Sequence, residues 1–60
     1  MAGTFEVYKD KADKYRFRLK AANGQVVASS EAYESKAAVM NGCDAVQRAA
    51  DGAKIVEVDA

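Results

Sequence analysis

Apolar and polar residues alternate with a period of two through the first half of the chain. Phe5 and Val7 flank the charged Glu6, and the run Tyr15–Lys20 alternates large apolar side chains with arginine and lysine. This alternation is typical of β-strands that bury one face. A third, shorter strand is predicted at about Gln25–Ser29. We therefore expect three consecutive strands that form one apolar and one polar sheet face.

Two polar segments separate these strands and set their pairing. Asp10–Lys14 predicts a five-residue loop, and Asn23-Gly24 favours a two-residue hairpin turn in which both residues take positive φ. An antiparallel meander with these loops has a definite register. On the polar face the predicted pairs are Glu6–Arg18, Tyr8–Arg16, Lys20–Val27, Arg18–Ser29 and Ala22–Gln25; on the apolar face they are Phe5–Leu19, Val7–Phe17, Leu19–Ala28 and Ala21–Val26.

Helical spacing replaces the alternation after residue 34. Ser35 is a suitable N-cap, because its hydroxyl accepts a hydrogen bond from an amide of the first turn. Over Lys36–Ala50 an apolar stripe recurs at helical spacing, formed by Val39, Cys43, Val46 and Ala50. Gly42 lies beside this stripe and lowers helix stability by up to about 1 kcal/mol relative to alanine. Its position next to the apolar stripe indicates a close approach of helix and sheet. Asp51-Gly52 ends the helix, since glycine suits the left-handed position after the last turn.

A final strand is predicted at about Lys54–Val58, which is apolar on both sides through Ile55, Val56 and Val58. A strand of this kind needs a sheet edge, and the pattern leaves open whether that edge belongs to the same chain or to another. The sequence therefore predicts one α+β domain over residues 1–60, a β-β-β-α-β unit whose helix packs on one face of an antiparallel sheet.

Composition narrows the ways in which so small a domain gains stability. With 60 residues, one cysteine and no histidine, the chain has no intrachain disulfide and lacks the ligands for a zinc site within one subunit. We expect no cofactor. Small domains without such supports often associate. Nine basic and nine acidic residues cancel, which is not the balance of a protein held to nucleic acid mainly by charge.

Targeting features favour a cytoplasmic location. Residues 1–9 contain no basic segment followed by a long apolar stretch, so no signal peptide is predicted. No apolar run approaches the roughly 18 residues that span a bilayer, and we expect no membrane partner. A single cysteine also fits a reducing compartment.

Residues throughout the chain resemble the YegP-like proteins, small bacterial and archaeal proteins built on a domain of unknown function. The similarity is carried by residues 5–11, 15–24 and 30–31, Tyr33, residues 35–38 and Asn41-Gly42. Cys43 departs mildly from the aliphatic residue expected there. The resemblance implies a β-β-β-α-β unit, present either twice in tandem or once as a homodimer, with the C-terminal strands swapped within a single continuous sheet. For a chain with one unit it implies the homodimer, and it supplies no active-site residue.

The polar sheet face holds the candidate binding surface, formed by Tyr8, Arg16, Arg18 and Lys20. Aromatic and basic side chains on an exposed sheet resemble single-stranded nucleic-acid platforms. The favoured interpretation is structural, with a Glu6–Arg18 charge pair and a cation–π contact between Tyr8 and Arg16. We therefore expect a non-catalytic binding or interaction module. Its expected partners are a second copy of the chain and an unidentified protein. Weak nucleic-acid binding is the alternative.

For each candidate catalytic residue, a structural role is a better interpretation than a catalytic one. Ser35-Lys36 has the wrong spacing for a serine–lysine nucleophile pair, and Cys43 is predicted to be a core thiol. The acidic residues Glu31, Glu34 and Asp44 have no predicted convergence. We expect no enzyme activity, and the remote alternative is an enzyme with a site at the dimer interface.

Overall fold

The computed structural model describes residues 2–59 and contains three strands followed by one helix. The strands are β1 (Thr4–Lys9), β2 (Tyr15–Lys20) and β3 (Val26–Ser29), and the helix is α1 (Lys36–Ala50). Neighbouring strands are antiparallel and lie in the order β1-β2-β3. The predicted α+β meander with one helix is confirmed for this part of the chain. Met1 and Ala60, the ends of the predicted domain, lie outside the described residues.

The β1–β2 pairing has the predicted register. Val7 lies opposite Phe17, and Glu6 lies opposite Arg18. The Asp10 amide donates to the Lys14 carbonyl at 2.8 Å, which closes the predicted loop. The period of two then assigns every side chain of both strands to a face, because one pair fixes all the others.

The β2–β3 hairpin differs from the predicted two-residue turn. The Ala21 amide donates to the Gln25 carbonyl at 2.8 Å, and the Gly24 amide donates to the Ala21 carbonyl at 2.9 Å. Three residues therefore form the loop, and among them Gly24 alone has a positive φ, of 88°. A type I turn followed by one left-handed residue is the common three-residue hairpin loop, and it needs positive φ once rather than twice.

The longer loop changes the pairing near it. Ala28 remains opposite Leu19 as predicted, but Lys20 pairs with Val26 and not with Val27. The predicted pairs Ala21–Val26 and Ala22–Gln25 are wrong for the same reason. The register shifts between Leu19 and Lys20, where β3 has one extra residue. This is a β-bulge, in which Val27 is the extra residue and has no partner on β2.

The connection from β3 to α1 stays hydrogen-bonded to β2. Tyr15 and Tyr33 form an antiparallel bridge with N···O distances of 2.9 and 2.7 Å. The Ser30 hydroxyl accepts from the Phe17 amide at 2.9 Å. Ser35 then caps the helix, since its hydroxyl accepts from the Ala38 amide at 3.1 Å. The predicted N-cap is confirmed.

The core lies between α1 and the first two strands. Its buried residues are Phe17, Val39 and Cys43, and the partly buried residues around them are Phe5, Tyr15, Tyr33 and Val46. The Phe5 and Phe17 rings meet edge to face with centroids 5.5 Å apart. The predicted helix stripe is confirmed as far as Val46, but Ala50 is exposed in the last turn.

Helix α1 ends as predicted, and the segment after it does not form a strand. Asp51 donates its amide to the Gln47 carbonyl, and Gly52 has a φ of 72°. Residues 53–59 form no strand within the single chain, so the strand Lys54–Val58 stays a prediction that depends on an edge from another chain. An extended segment becomes a strand only when it pairs with an edge. No helix within residues 2–59 is long and apolar enough to cross a membrane.

Candidate binding surface on the open sheet face

The four predicted surface residues lie together on the sheet face opposite α1, which we call the open face. Tyr8 is on β1 and Arg16, Arg18 and Lys20 are on β2. They occupy one face because their positions alternate with Phe17 and the other residues that pack towards the helix. Two carboxylates that pair with these cations, Glu6 and Asp10, complete the open face.

Glu6 is the acceptor for two of the cations. Its Oε1 lies 2.6 Å from Arg18 Nε and 3.5 Å from Lys20 Nζ. The hydrogen bond from Arg18 lowers the pKa of the Glu6 carboxyl and raises the pKa of Arg18. The predicted cross-strand charge pair is confirmed, and its carboxylate stays ionised to a lower pH than a free glutamate.

Asp10 holds the third cation and also organises the β1–β2 loop. Its Oδ2 accepts from Arg16 Nε at 2.6 Å, while its Oδ1 accepts from the amides of Ala12 and Lys14 at 2.9 and 3.0 Å. The hydrogen bond from Arg16 is the largest cause of the lowered pKa of Asp10. One carboxylate therefore ties the guanidinium to the backbone of the loop.

The cation–π contact on the open face has a different partner from the predicted one. The guanidinium carbon of Arg18 lies 5.0 Å from the centroid of the Tyr8 ring. Arg16, which faces Tyr8 in the register, instead donates to Asp10 and to the Ser30 carbonyl at 3.3 Å. The carboxylate hydrogen bond wins because charge-assisted hydrogen bonds are stronger than an exposed cation–π contact.

The open face is consequently an ordered set of ion pairs with one surplus positive charge, because three cations meet two carboxylates. Arg18 and Lys20 keep guanidinium and ammonium donors beyond those used by Glu6. Together with the Tyr8 ring, these donors suit acceptor-bearing groups. The role of Asp10 in the loop and in the ion pair was not predicted from the sequence, although aspartate at the first position of a turn is a recognised turn signal.

Four further chemical candidates are held in structural contacts. The Ser35 hydroxyl caps the helix, and burial raises the pKa of the Cys43 thiol. Glu34 pairs with Lys14 at 2.5 Å and Asp44 pairs with Arg48 at 3.0 Å. Within residues 2–59, no group of three or more cysteine, aspartate or glutamate side chains is placed to hold a metal ion.

The sequence of this chain matches a known protein family. The family profile of DUF1508, a domain of unknown function, matches residues 10–57. The chain belongs to the DUF1508 family. A UPF0339 protein of Treponema denticola is 59% identical over 58 residues, which cover 97% of this chain and 100% of that protein.

Relatives of this DUF1508 chain include longer proteins. The UPF0339 protein YegP of Yersinia pestis is 49% identical over 45 residues, which cover 75% of this chain but 40% of that protein. A UPF0339 protein of Stutzerimonas stutzeri is 52% identical over 48 residues, covering 80% of this chain and 43% of that protein. The resemblance to YegP-like proteins is confirmed, and the chain spans less than half the length of these two relatives.

Solved structures share the fold. The NMR solution structure of a protein from Haloferax volcanii has a TM-score of 0.79 and 41% identity, covering 95% of this chain and 97% of that one. The solution NMR structure of protein ATU0232 from Agrobacterium tumefaciens has a TM-score of 0.75 and 44% identity, covering 92% of this chain and 89% of that one. The three-stranded sheet with one helix is thus the fold of a family whose function is unknown.

Proposed function

We propose that this protein is a non-catalytic interaction module that acts as a homodimer, in which the C-terminal segments of two chains are exchanged within one continuous sheet. The segment is Lys54–Val58. The observation that carries the proposal is the exposure of its aliphatic side chains: Ile55 is 102% exposed, Val56 71% and Val58 78%.

The free energy of burial favours a partner for this segment. Moving an aliphatic side chain of this size from water into a core is worth about 1.5–3 kcal/mol, and three of them lie in water here. The core within one chain has only three buried residues among those described. A domain of 60 residues has a thin margin of stability, so the apolar segment is better explained as part of a second chain's core.

The sheet offers a place for a further strand. Within residues 2–59, the outer edges of β1 and β3 pair with no additional strand. Such edges carry unpaired amides and carbonyls, which a strand from another chain satisfies. Two identical chains related by a two-fold axis exchange their segments reciprocally. A second copy of this chain is therefore the occupant that we propose.

The surface that the dimer offers to other molecules is the open face. Because the dimer has two chains, it carries two copies of this face. Arg18 and Lys20 supply donors around the Tyr8 ring, and we propose that they contact an acidic or acceptor-rich segment of a protein partner. Because Glu6 and Asp10 neutralise most of the charge, single-stranded nucleic acid is the less favoured ligand. A non-catalytic role is supported by the separate ion pairs of Glu34 and Asp44.

Assembly is tested by native mass spectrometry and light scattering on four variants. Val56→Asp and Val58→Asp should convert two-chain particles to single or unfolded chains, whereas Glu57→Gln in the same segment should leave the dimer intact. Deletion of residues 54–60 should abolish both dimer and fold. A truncated chain that stays a folded monomer would refute the exchange.

The contact surface is tested separately by replacing Arg16 and Arg18 with glutamate. Loss of binding to single-stranded oligonucleotides at about 50 mM salt would favour the nucleic-acid alternative, and absence of wild-type binding at that salt would eliminate it. Both variants must keep the wild-type dimer mass. We also propose a cytoplasmic location, supported by the buried unpaired thiol of Cys43, and cell fractionation tests it.

A further inference from the structure

The chain contains the dipeptide Asn-Gly twice, at Asn23-Gly24 and at Asn41-Gly42, in opposite structural settings. We infer that Asn23 is a site of spontaneous deamidation to aspartate and isoaspartate, and that Asn41 is protected from the same reaction. The inference is independent of the proposed dimer, because it rests on the β2–β3 loop and on α1.

The reaction needs only the chain and water. The Gly24 backbone nitrogen gives its proton to hydroxide and attacks Asn23 Cγ. The new C–N bond closes a five-membered succinimide, and the side-chain amide nitrogen leaves as ammonia after taking a proton from water. One water then opens the ring at either carbonyl. Opening at one carbonyl gives aspartate, and opening at the other gives isoaspartate, in which the main chain runs through the former side chain.

The geometry of the loop favours this attack at Asn23. Its Oδ1 accepts a hydrogen bond from the Gln25 amide at 3.0 Å, and this donor also faces the oxyanion that forms as nitrogen attacks. Glycine adds no side chain beside the attacking nitrogen, and the space around Gly24 is open. Asn23 itself is exposed.

One contact opposes the reaction and sets its speed. The Gly24 amide donates to the Ala21 carbonyl at 2.9 Å, and this hydrogen bond must open before the nitrogen can lose its proton. All three loop residues, 22–24, are exposed. Exposed turn hydrogen bonds open at low free-energy cost compared with those of a packed helix.

Asn41 lies in the setting that suppresses the reaction. The Gly42 amide is part of the hydrogen-bond ladder of α1, because Gly42 is the seventh residue of a fifteen-residue helix. Gly42 also lies against the hydroxyl end of the Tyr33 side chain, which a Cβ at this position would approach to 2.5 Å. Attack at Asn41 therefore requires local unfolding of the helix, whereas attack at Asn23 requires opening of one turn.

Isoaspartate at position 23 would alter the sheet. It adds one main-chain carbon to a loop whose length fixes the Ala21–Gln25 closure and the bulge in β3. We expect the modified chains to have a lower free energy of unfolding and more exposed β3 amides in hydrogen exchange than chains with aspartate at the same position.

The test is peptide mapping by mass spectrometry after incubation of the full chain in mildly alkaline buffer, once folded and once in denaturant. In the folded protein we expect Asn23 to convert at least about tenfold faster than Asn41, because helix opening is rare. In denaturant the two should convert at similar rates. Asn23→Gln should remove the deamidation product at position 23 and leave the conversion rate of Asn41 unchanged.

Two results would overturn the inference. One is an intact Asn23 in the folded protein after a time in which the denatured chain has largely converted. The other is equal conversion of Asn23 and Asn41 in the folded protein. Chromatographic separation of aspartate and isoaspartate peptides distinguishes succinimide opening from direct hydrolysis, which gives aspartate alone and would also contradict the proposed route.

Discussion

Gly42 packs against the hydroxyl end of the Tyr33 side chain, so that a Cβ at position 42 would come within 2.5 Å of the Tyr33 hydroxyl oxygen and 2.8 Å of the ring carbon that bears it. Tyr33 in turn stacks on Phe17 with centroids 6.3 Å apart. The Tyr33 side chain thus contacts both the helical glycine and the buried strand residue Phe17. The close approach explains why α1 carries a glycine despite its cost in helix propensity.

We expect Gly42→Ala to lower the free energy of unfolding by about 1–2 kcal/mol, because the new methyl group displaces the Tyr33 ring. Helix propensity alone predicts the opposite, a gain of up to about 1 kcal/mol. In a Tyr33→Ala background the clash is absent, and Gly42→Ala should therefore stabilise. Chemical denaturation of the four chains at equal concentration gives the coupling. A stabilising Gly42→Ala in the otherwise wild-type chain would contradict this packing.

Loss of the helix cap should be measurable in the same way. Ser35→Ala removes the hydroxyl that accepts from the Ala38 amide, and we expect a loss of about 1 kcal/mol in the free energy of unfolding. Ser29→Ala, at an exposed strand position, is the matched control and should change it by less than about 0.5 kcal/mol. Equal effects at the two serines would show that the cap contributes nothing specific.

The β1–β2 loop contains a non-glycine residue in the left-handed region, Asp13, with a φ of 64°. Aspartate tolerates this conformation better than a β-branched residue does. Asp13→Val should therefore cost about 1–2 kcal/mol, whereas Lys11→Val in the same loop, where φ is negative, should be nearly neutral. Thermal unfolding measures both variants. An Asp13→Val chain as stable as Lys11→Val would contradict the loop conformation.

Acid unfolding should report on the open face. The pKa values of Asp10 and Glu6 are lowered in the folded chain by Arg16 and Arg18 respectively. Because a depressed folded pKa means that the unfolded chain binds the proton first, this stabilisation is complete above the unfolded values of about 3.9 and 4.3. It is lost as the pH falls through the folded pKa values.

Asp10→Asn and Glu6→Gln should each flatten the fall in stability below about pH 4. Denaturation curves at several pH values give the slope. Arg16→Gln removes the main cause of the Asp10 shift without removing the carboxyl, so it should flatten the same region. A slope that is unchanged in all three variants would contradict the ion pairs of the open face.

The first hairpin was predictable from the sequence because its signals were redundant. Phe5, Val7 and Phe17 mark the apolar face of each strand, although Val7 itself is exposed, and a five-residue polar segment leaves one loop length that keeps those faces aligned. The second hairpin lacked that redundancy. Asn23-Gly24 fits either a two-residue or a three-residue loop, and the small residues beside it do not penalise a bulge.

The partner of Tyr8 was not predictable from strand register alone. Arg16 faces Tyr8 across the strands, yet Asp10 draws it away through a hydrogen bond that depends on the folded loop. The segment Lys54–Val58 posed a different problem. Its composition predicts a strand, but a strand also needs an edge to pair with, and a chain's own sequence does not say which molecule supplies it.

The exchange of Lys54–Val58 between two chains is tested most directly by isotope-filtered NMR on a mixture of labelled and unlabelled protein, refolded together. If the segments are exchanged, we expect intermolecular nuclear Overhauser effects from the methyl groups of Ile55, Val56 and Val58 to sheet residues of the other chain. Contacts confined to one chain, or methyl groups without any sheet contact, would contradict it.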